Sequence, residues 1–350
     1  MARIGIVGTG WGARVQVPAF REAGLEVIAI AGAHRNKTHR VAEELELRAH
    51  DDWHELVAAN DIDLVSIVTP PAEHLTMATA ALDAGKHVLS EKPTALNAAE
   101  AEQLVEAARR HTDRLALIDH EMRFLPSWRM ARARIGELGT IRYVEVRYAS
   151  PSRGDRSREW NWWSDASRGG GVWGAVGSHY VDAVRYFAGE IDAVQAMLTT
   201  VIRERPFGDA MREVTSDDLA AVHLRLRSGA AAMMTFSAVA SGPDEATSTT
   251  IHGEEGAMRL VREELLTALH GEPFTRAAGG PLEDRRGNSP GGAFGTATVH
   301  LGRALKAFFD DGDRDALAVA ATFEDGLAQQ RVLDAARRSS VDRGCWQNIG

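Results

Sequence analysis

The chain has 350 residues, 44% hydrophobic and 25% charged, which is enough for two domains and too apolar for disorder to be its main state. A net charge of −9 with no dense Lys/Arg run argues against a nucleic-acid surface. The single cysteine, Cys345, excludes an internal disulfide and fits a reducing cytoplasm.

The first 120 residues alternate short apolar runs with helical patterns. Strands are expected at Arg3–Val7, Glu26–Ala31, Asp63–Val68, Lys86–Leu89 and Leu115–Ile118. Helices are expected at Trp11–Ala23, Lys37–Leu47, Pro71–Ala84 and from a cap at Asn97 to about Arg110, with Glu100 completing a capping box. Apolar strands alternating with helices imply an α/β Rossmann domain, a parallel sheet covered on both faces. Beyond Arg123 the runs are longer and β-branched: Ile141–Tyr148, Ala193–Ile202, Leu219–Leu226, Ala230–Ala240 and Thr247–His252. Short turns such as Arg227–Gly229 imply an antiparallel sheet. Helices at Val176–Ala188, His300–Phe309 and Ala321–Arg338 make this half α+β. The expected division is residues 1–123 and 124–350. The Gly/Pro-rich stretch Gly279–Gly295 reads as a surface loop, a lid or a subunit-crossing arm. No run reaches the roughly 18 apolar residues of a membrane span, so a cytoplasmic protein without membrane partners is expected.

Gly8-Thr9-Gly10-Trp11-Gly12-Ala13 joins the first strand to the first helix as G-x-G-x-x-A. The first glycine permits the tight turn, the second lets a pyrophosphate approach the backbone, and the third small position lets helix pack on strand. The phosphates then meet free N–H groups at the helix end. The alternative is a tight turn without a ligand. The second strand runs into Ala31-Gly32-Ala33-His34-Arg35-Asn36-Lys37, with no acid to take the ribose 2′-hydroxyl of NAD. His34, Arg35 and Lys37 instead suit a 2′-phosphate, so NADP is expected over NAD, unless these are ordinary solvated charges.

Only four residues are lysine: Lys37, Lys86, Lys92 and Lys306. Lys92 lies in Glu91-Lys92-Pro93, just past the carboxyl end of a strand, where open parallel sheets bind ligands. There it can hydrogen-bond a substrate hydroxyl and stabilise an alkoxide. Pro93 restrains its backbone.

GTGWGA, VSIVTPPAEH (65–74) and HVLSEKP (87–93), with the later runs 122–148, 160–189 and 323–339, resemble the Gfo/Idh/MocA oxidoreductase family, which takes its name from glucose–fructose oxidoreductase and inositol dehydrogenase. The resemblance implies a Rossmann domain followed by a domain with an open, mostly antiparallel sheet. It implies hydride transfer between a nicotinamide, NAD(P), and a sugar, cyclitol or related polyol. Carried over, Gly8 to Ala13 hold the pyrophosphate, Thr69, Pro70, His74 and Glu91 line the cofactor, Lys92 is catalytic and His179 moves a proton. Homodimers or homotetramers through the second domain's sheet are also implied.

His179 and Asp182 stand three apart on one helix face, so the carboxylate can orient the imidazole as a general base. A structural His–Asp pair is the alternative. Many family members carry an aspartate four residues before the histidine; here that position is Ala175. This departure keeps open a dinucleotide- or sugar-binding sensor without turnover. A third reading is an enzyme whose tightly held NAD(H) is recycled within each turnover. Trp160, Trp162, Trp163 and Trp173 cluster around a glycine run, where indoles suit sugar faces or plain packing. Glu121, Arg123, Trp162 and Trp163 are candidate substrate contacts. No HExxH or Cys/His cluster appears, so no metal is expected.

Overall fold

The computed structural model describes residues 2–242, 247–277 and 290–349. Its chain divides into two compact units. Of the described residues, the first unit holds 2–95, 99–125 and 290–327, and the second holds 96–98, 126–277 and 328–349.

In the first unit, β1 (Arg3–Val7), β2 (Glu26–Ala31), β3 (Arg48–His50), β4 (Leu64–Ile67), β5 (His87–Ser90) and β6 (Ala116–Ile118) run parallel in the order β6-β5-β4-β1-β2-β3. The strand Ala321–Thr322 pairs antiparallel with β6. Ile4, Ile6, Leu64, Val65 and Ile67 are fully buried because helices cover both faces. The covering helices include α1 (Val17–Glu22), α2 (Arg35–Glu44), α3 (Trp53–Ala58), α4 (His74–Asp83) and α5 (Ala98–Arg110). The strand order reverses between β1 and β4, so the crevice for a ligand opens at the carboxyl ends of those two strands.

The helix Ala293–Asp311 joins this unit, although the sequence reading grouped it with the second half. Its buried Leu301, Ala304 and Leu305 share a core with Phe20 and Leu25. Gly302 has no room for a side chain, since a Cβ there would stand 2.7 Å from Cβ of Ala23. Residues 279–289 of the Gly/Pro-rich stretch lie outside the described residues.

The second unit is built on a nine-stranded sheet. It contains α6 (Pro126–Arg134), α7 (Ser178–Ala188) and the strands β7 (Ile141–Ala149), β8 (Ile191–Thr199), β9 (Glu204–Phe207), β10 (Ala210–Glu213), β11 (Leu219–Leu226), β12 (Ala231–Ser237), β13 (Ser248–Gly253), β14 (Gly256–Val261), β15 (Glu264–Leu269) and β16 (Thr275–Arg276). The order is β16-β15-β14-β13-β7-β12-β11-β8, closed at the far edge by Gln347–Asn348. All pairs are antiparallel except β7 with β12. The hairpin β9–β10 stands apart. Alternation explains the faces: Val222, Leu224, Met234 and Phe236 are buried, while His223, Arg225, Met233 and Thr235 point outward. The ring of Phe236 lies 5.8 Å from that of Trp173 and 5.7 Å from that of Tyr180, so the segment bearing His179 packs on the apolar face. Among the described residues, no helix is long and apolar enough to cross a membrane.

Candidate active site

The glycine turn is built as a phosphate cradle. Gly8 has φ +138°, and a Cβ there would meet the Val68 carbonyl oxygen at 2.1 Å, so only glycine fits. A Cβ on Gly10 would meet nothing within 4 Å, which leaves the backbone open on that side. At Gly12 it would stand 2.7 Å from Cγ2 of Ile6, so the helix lies directly on β1. The turn Gly12–Gln16 is a wide π-type turn leading into α1. Thr69 and Pro70 follow β4 across the switch point. These are the conditions a dinucleotide pyrophosphate requires, and the cradle fits that group.

At the end of β2, His34 stands at the N-terminus of α2 without a side-chain capping bond. Arg35 and His39 both reach Asp51, at 3.1 and 2.6 Å. Arg35 is exposed and already has a carboxylate partner. Asp51 lies beyond β3, outside the run in which an acid is sought from sequence.

Lys92 follows β5 in a loop whose Lys92–Pro93 peptide is cis. His74, fully buried at the start of α4, spans this loop. One ring nitrogen lies 3.1 Å from the Pro93 carbonyl oxygen and the other 3.0 Å from that of Thr69. Burial, with a smaller contribution from the Lys92 charge, pushes the His74 pKa down. A neutral ring donates to only one of these carbonyls. This geometry makes His74 a brace between the carboxyl ends of β4 and β5.

Glu91 is turned into the protein. It accepts from the Gln16 side-chain amide at 3.3 Å, and the same amide donates to Asp119 at 2.8 Å. Burial raises the pKa of Glu91, and raises those of Asp119 and Glu121 further. Arg123 is buried and pairs with Asp325 at 3.3 Å, tying the turn Glu121–Phe124 to the first turn of the last helix, Phe323–Val341. The other lysines show how ordinary ones are used. Lys86 donates to the carbonyls of Ala59 and Ile62 at 2.7 and 2.9 Å, and Lys306 pairs with Asp310.

In the second unit, His179 and Asp182 lie in the first two turns of α7, 3% and 1% exposed. A π-type turn, Trp173–Gly177, precedes α7, and Ala175 is buried within it. Gln329 donates its amide to the Ser178 carbonyl. The tryptophans divide. Trp173 is fully buried and donates to the Leu333 carbonyl at 3.3 Å, so it is core. Trp160 donates to the Glu213 carbonyl at 2.9 Å, with the Arg212 guanidinium 3.6 Å over its ring. Trp162 and Trp163 are half-buried, with ring centroids 6.0 Å apart, and Arg153 stacks 5.0 Å over Trp163.

The sequence reading missed Gln16, Ser66 and Asp119. Their signal was polarity inside apolar surroundings: Gln16 lies between two valines, Ser66 between Val65 and Ile67, and Asp119 directly after Ile118.

Comparison with known proteins agrees with this geometry. Residues 2–118 match an oxidoreductase family with an NAD-binding Rossmann fold, and residues 128–259 match the GFO/IDH/MocA C-terminal domain. An uncharacterized oxidoreductase of Synechocystis sp. is 32% identical over 290 residues, covering 80% of this chain and 77% of that protein. Glucose-fructose oxidoreductase domain-containing protein 2 of Xenopus tropicalis is 31% identical over 369 residues, covering 99% and 93%. A levoglucosan dehydrogenase solved with NADH and L-sorbose shares the fold, with a TM-score of 0.87 at 23% identity, covering 100% of this chain and 99% of that one. The open phosphate cradle on β1, the lysine beyond β5 and these matches over both units together establish that the chain belongs to the GFO/IDH/MocA oxidoreductase family.

Proposed function

We propose that this protein is an NAD(P)-dependent dehydrogenase acting on a CH–OH group of a sugar, cyclitol or related polyol. In this reading Lys92 is the catalytic lysine and His179 the proton-transfer residue, oriented by Asp182. The observation that carries it is the cradle: Gly10 leaves an open backbone face at the switch point, and Lys92 follows a strand of the same sheet. A bound nicotinamide supplies the hydride acceptor. The ammonium of Lys92 hydrogen-bonds the substrate oxygen and favours its developing negative charge. His179, when neutral, accepts the hydroxyl proton, and it returns that proton in the reverse direction. Thr69 and Pro70 line the cofactor, and His74 holds the loop that aims Lys92. Trp162 and Trp163 offer indole faces to the sugar, with Glu121 and Arg123 as polar contributors on the first unit. The first unit is the dinucleotide-binding part, and the second serves substrate binding and assembly.

The finer cofactor reading is NADP over NAD. The run 31–37 lacks an acid and carries His34, Arg35 and Lys37. The ion pair of Arg35 with Asp51 is the observation that weighs toward NAD. The levoglucosan dehydrogenase that shares the fold was solved with NADH and with sugars. Assembly into homodimers or homotetramers through the large sheet is supported by Met197 and Met233, which expose 54% and 46% of their surface on its outward face. A cytoplasmic setting completes the reading.

A non-catalytic sensor is the second reading, and Ala175 favours it, since an orienting carboxylate is missing from the turn before His179. Titration of the purified protein with NADH and NADPH, followed by a polyol screen, separates the two. Dinucleotide binding with nicotinamide reduction by a polyol supports the dehydrogenase. Binding without reduction by any polyol supports the sensor, and no binding of either nucleotide overturns both.

A further inference from the structure

Beside Lys92 in the chain, the buried Glu91 shares one Gln16 amide with a second buried acid, Asp119. Ser66 donates its hydroxyl to Gln16 Oε1 at 2.6 Å. That bond fixes the amide, so the Gln16 NH2 group faces Asp119 Oδ2 at 2.8 Å and Glu91 Oε1 at 3.3 Å. One amide nitrogen thus holds a carboxylate oxygen of Glu91 and one of Asp119, so the two buried carboxyl groups are close neighbours. Gln16 and Ser66 are fully buried, Asp119 is 1% exposed and Glu91 9%. Two ionised carboxylates are both acceptors only, whereas a proton on one of them lets it donate to the other. Two like charges this close also disfavour joint ionisation in a poorly solvated site. The surrounding charged and titratable groups are Lys92, which attracts all three buried acids; Glu121, which repels Glu91 and Asp119; His74 from α4; and His120 and Arg123 on the turn beyond β6, with Arg123 paired to Asp325. Among the described residues, no three such side chains are arranged to hold a metal ion.

We propose that Glu91 and Asp119 share one proton and act as positioning residues for Lys92, setting one negative charge under its ammonium in a geometry fixed by Gln16 and Ser66. This role rests on the dehydrogenase reading; the shared proton does not. Glu91 is then a support of the catalytic lysine more than a wall of the cofactor site. Burial raises the pKa of both acids, in the direction a retained proton requires. The charge count makes a specific demand. Glu91→Gln or Asp119→Asn alone still leaves one negative charge, whereas the double variant leaves none.

The first test is infrared difference spectroscopy of the full-length protein at neutral pH, in H2O and D2O. The expected result is a protonated-carboxyl C=O band in the wild type that is absent from E91Q and from D119N. No such band, or one that survives both substitutions and disappears in Glu121→Gln, overturns the proposal. The second test is steady-state turnover with the polyol found in the screen, with nucleotide binding and thermal melting measured on the same samples. The double variant should lose at least about tenfold more in kcat than either single variant, with KM little changed. Equal losses in singles and double overturn the charge argument. If no polyol is turned over while the infrared band behaves as expected, the dehydrogenase reading has failed and the shared proton stands.

Discussion

Ser66 donates its hydroxyl to the side-chain oxygen of Gln16 at 2.6 Å, and this one bond decides which end of the amide meets the buried acids. Removing the donor to the acids should be costly. Gln16→Leu keeps the volume and leaves Glu91 and Asp119 without their amide partner. We predict a loss of about 1–3 kcal/mol in urea unfolding. Ser66→Ala should cost less, about 1 kcal/mol, since the amide keeps its other contacts.

The three glycines of the cradle should separate binding from folding. Gly10→Val meets open space, so the variant should fold and melt like the wild type but lose at least roughly tenfold in dinucleotide affinity. Gly12→Val collides with Ile6 and Val68 and should lower the melting temperature as well. Tryptophan quenching by NADH or NADPH, read beside thermal melts, distinguishes the two patterns.

Cofactor preference should follow the Arg35–Asp51 pair. Asp51→Ala frees the guanidinium and should shift the NADPH/NADH affinity ratio toward NADPH by roughly tenfold. Arg35→Ala should shift it the other way. Competitive titration of both nucleotides against each variant reads the ratio directly.

Acid should weaken the first unit through His87. Its Nδ1 accepts the Leu115 N–H at 2.9 Å, which requires an unprotonated nitrogen. Burial first, then the Arg114 charge, lower its pKa to about 4. A histidine with a depressed folded pKa supports the fold fully above its unfolded pKa of about 6.5, and that support drains away as pH falls toward 4. Because the ring is partly solvated, the loss is on the order of 1 kcal/mol. His87→Asn keeps an acceptor and should flatten this part of the stability–pH curve. An unchanged slope would show that another group titrates there.

Much of the first unit was legible in the sequence because its strands are continuous apolar runs and its turn chemistry is explicit. β1 and β2 fall where the runs predict, and the second half carries the antiparallel alternation expected of it. Short or exposed elements were not legible. β3 has three residues and none fully buried, and the β9–β10 hairpin carries too few buried positions to show a period. The start of the final helix at Ala321 instead forms a two-residue strand on the edge of the first sheet. The helix Ala293–Asp311 is periodic enough to be found, but periodicity does not say which core its apolar face will meet. At the site, glycine spacing and a lysine in an arginine-rich chain point to the cradle and to Lys92. The buried acids are different: Glu91 and Asp119 lie 28 positions apart in sequence, and only the neighbouring parallel strands β5 and β6 bring their carboxyl groups together.

The claim that Lys92 does chemistry on a polyol is tested most directly by Lys92→Met. The measurement is nicotinamide reduction by the polyol that the wild type oxidises, with dinucleotide affinity determined on the same preparation. The account predicts at least a roughly 100-fold loss of kcat with affinity changed by less than about threefold. Wild-type turnover in Lys92→Met, with the dinucleotide still bound, would contradict it.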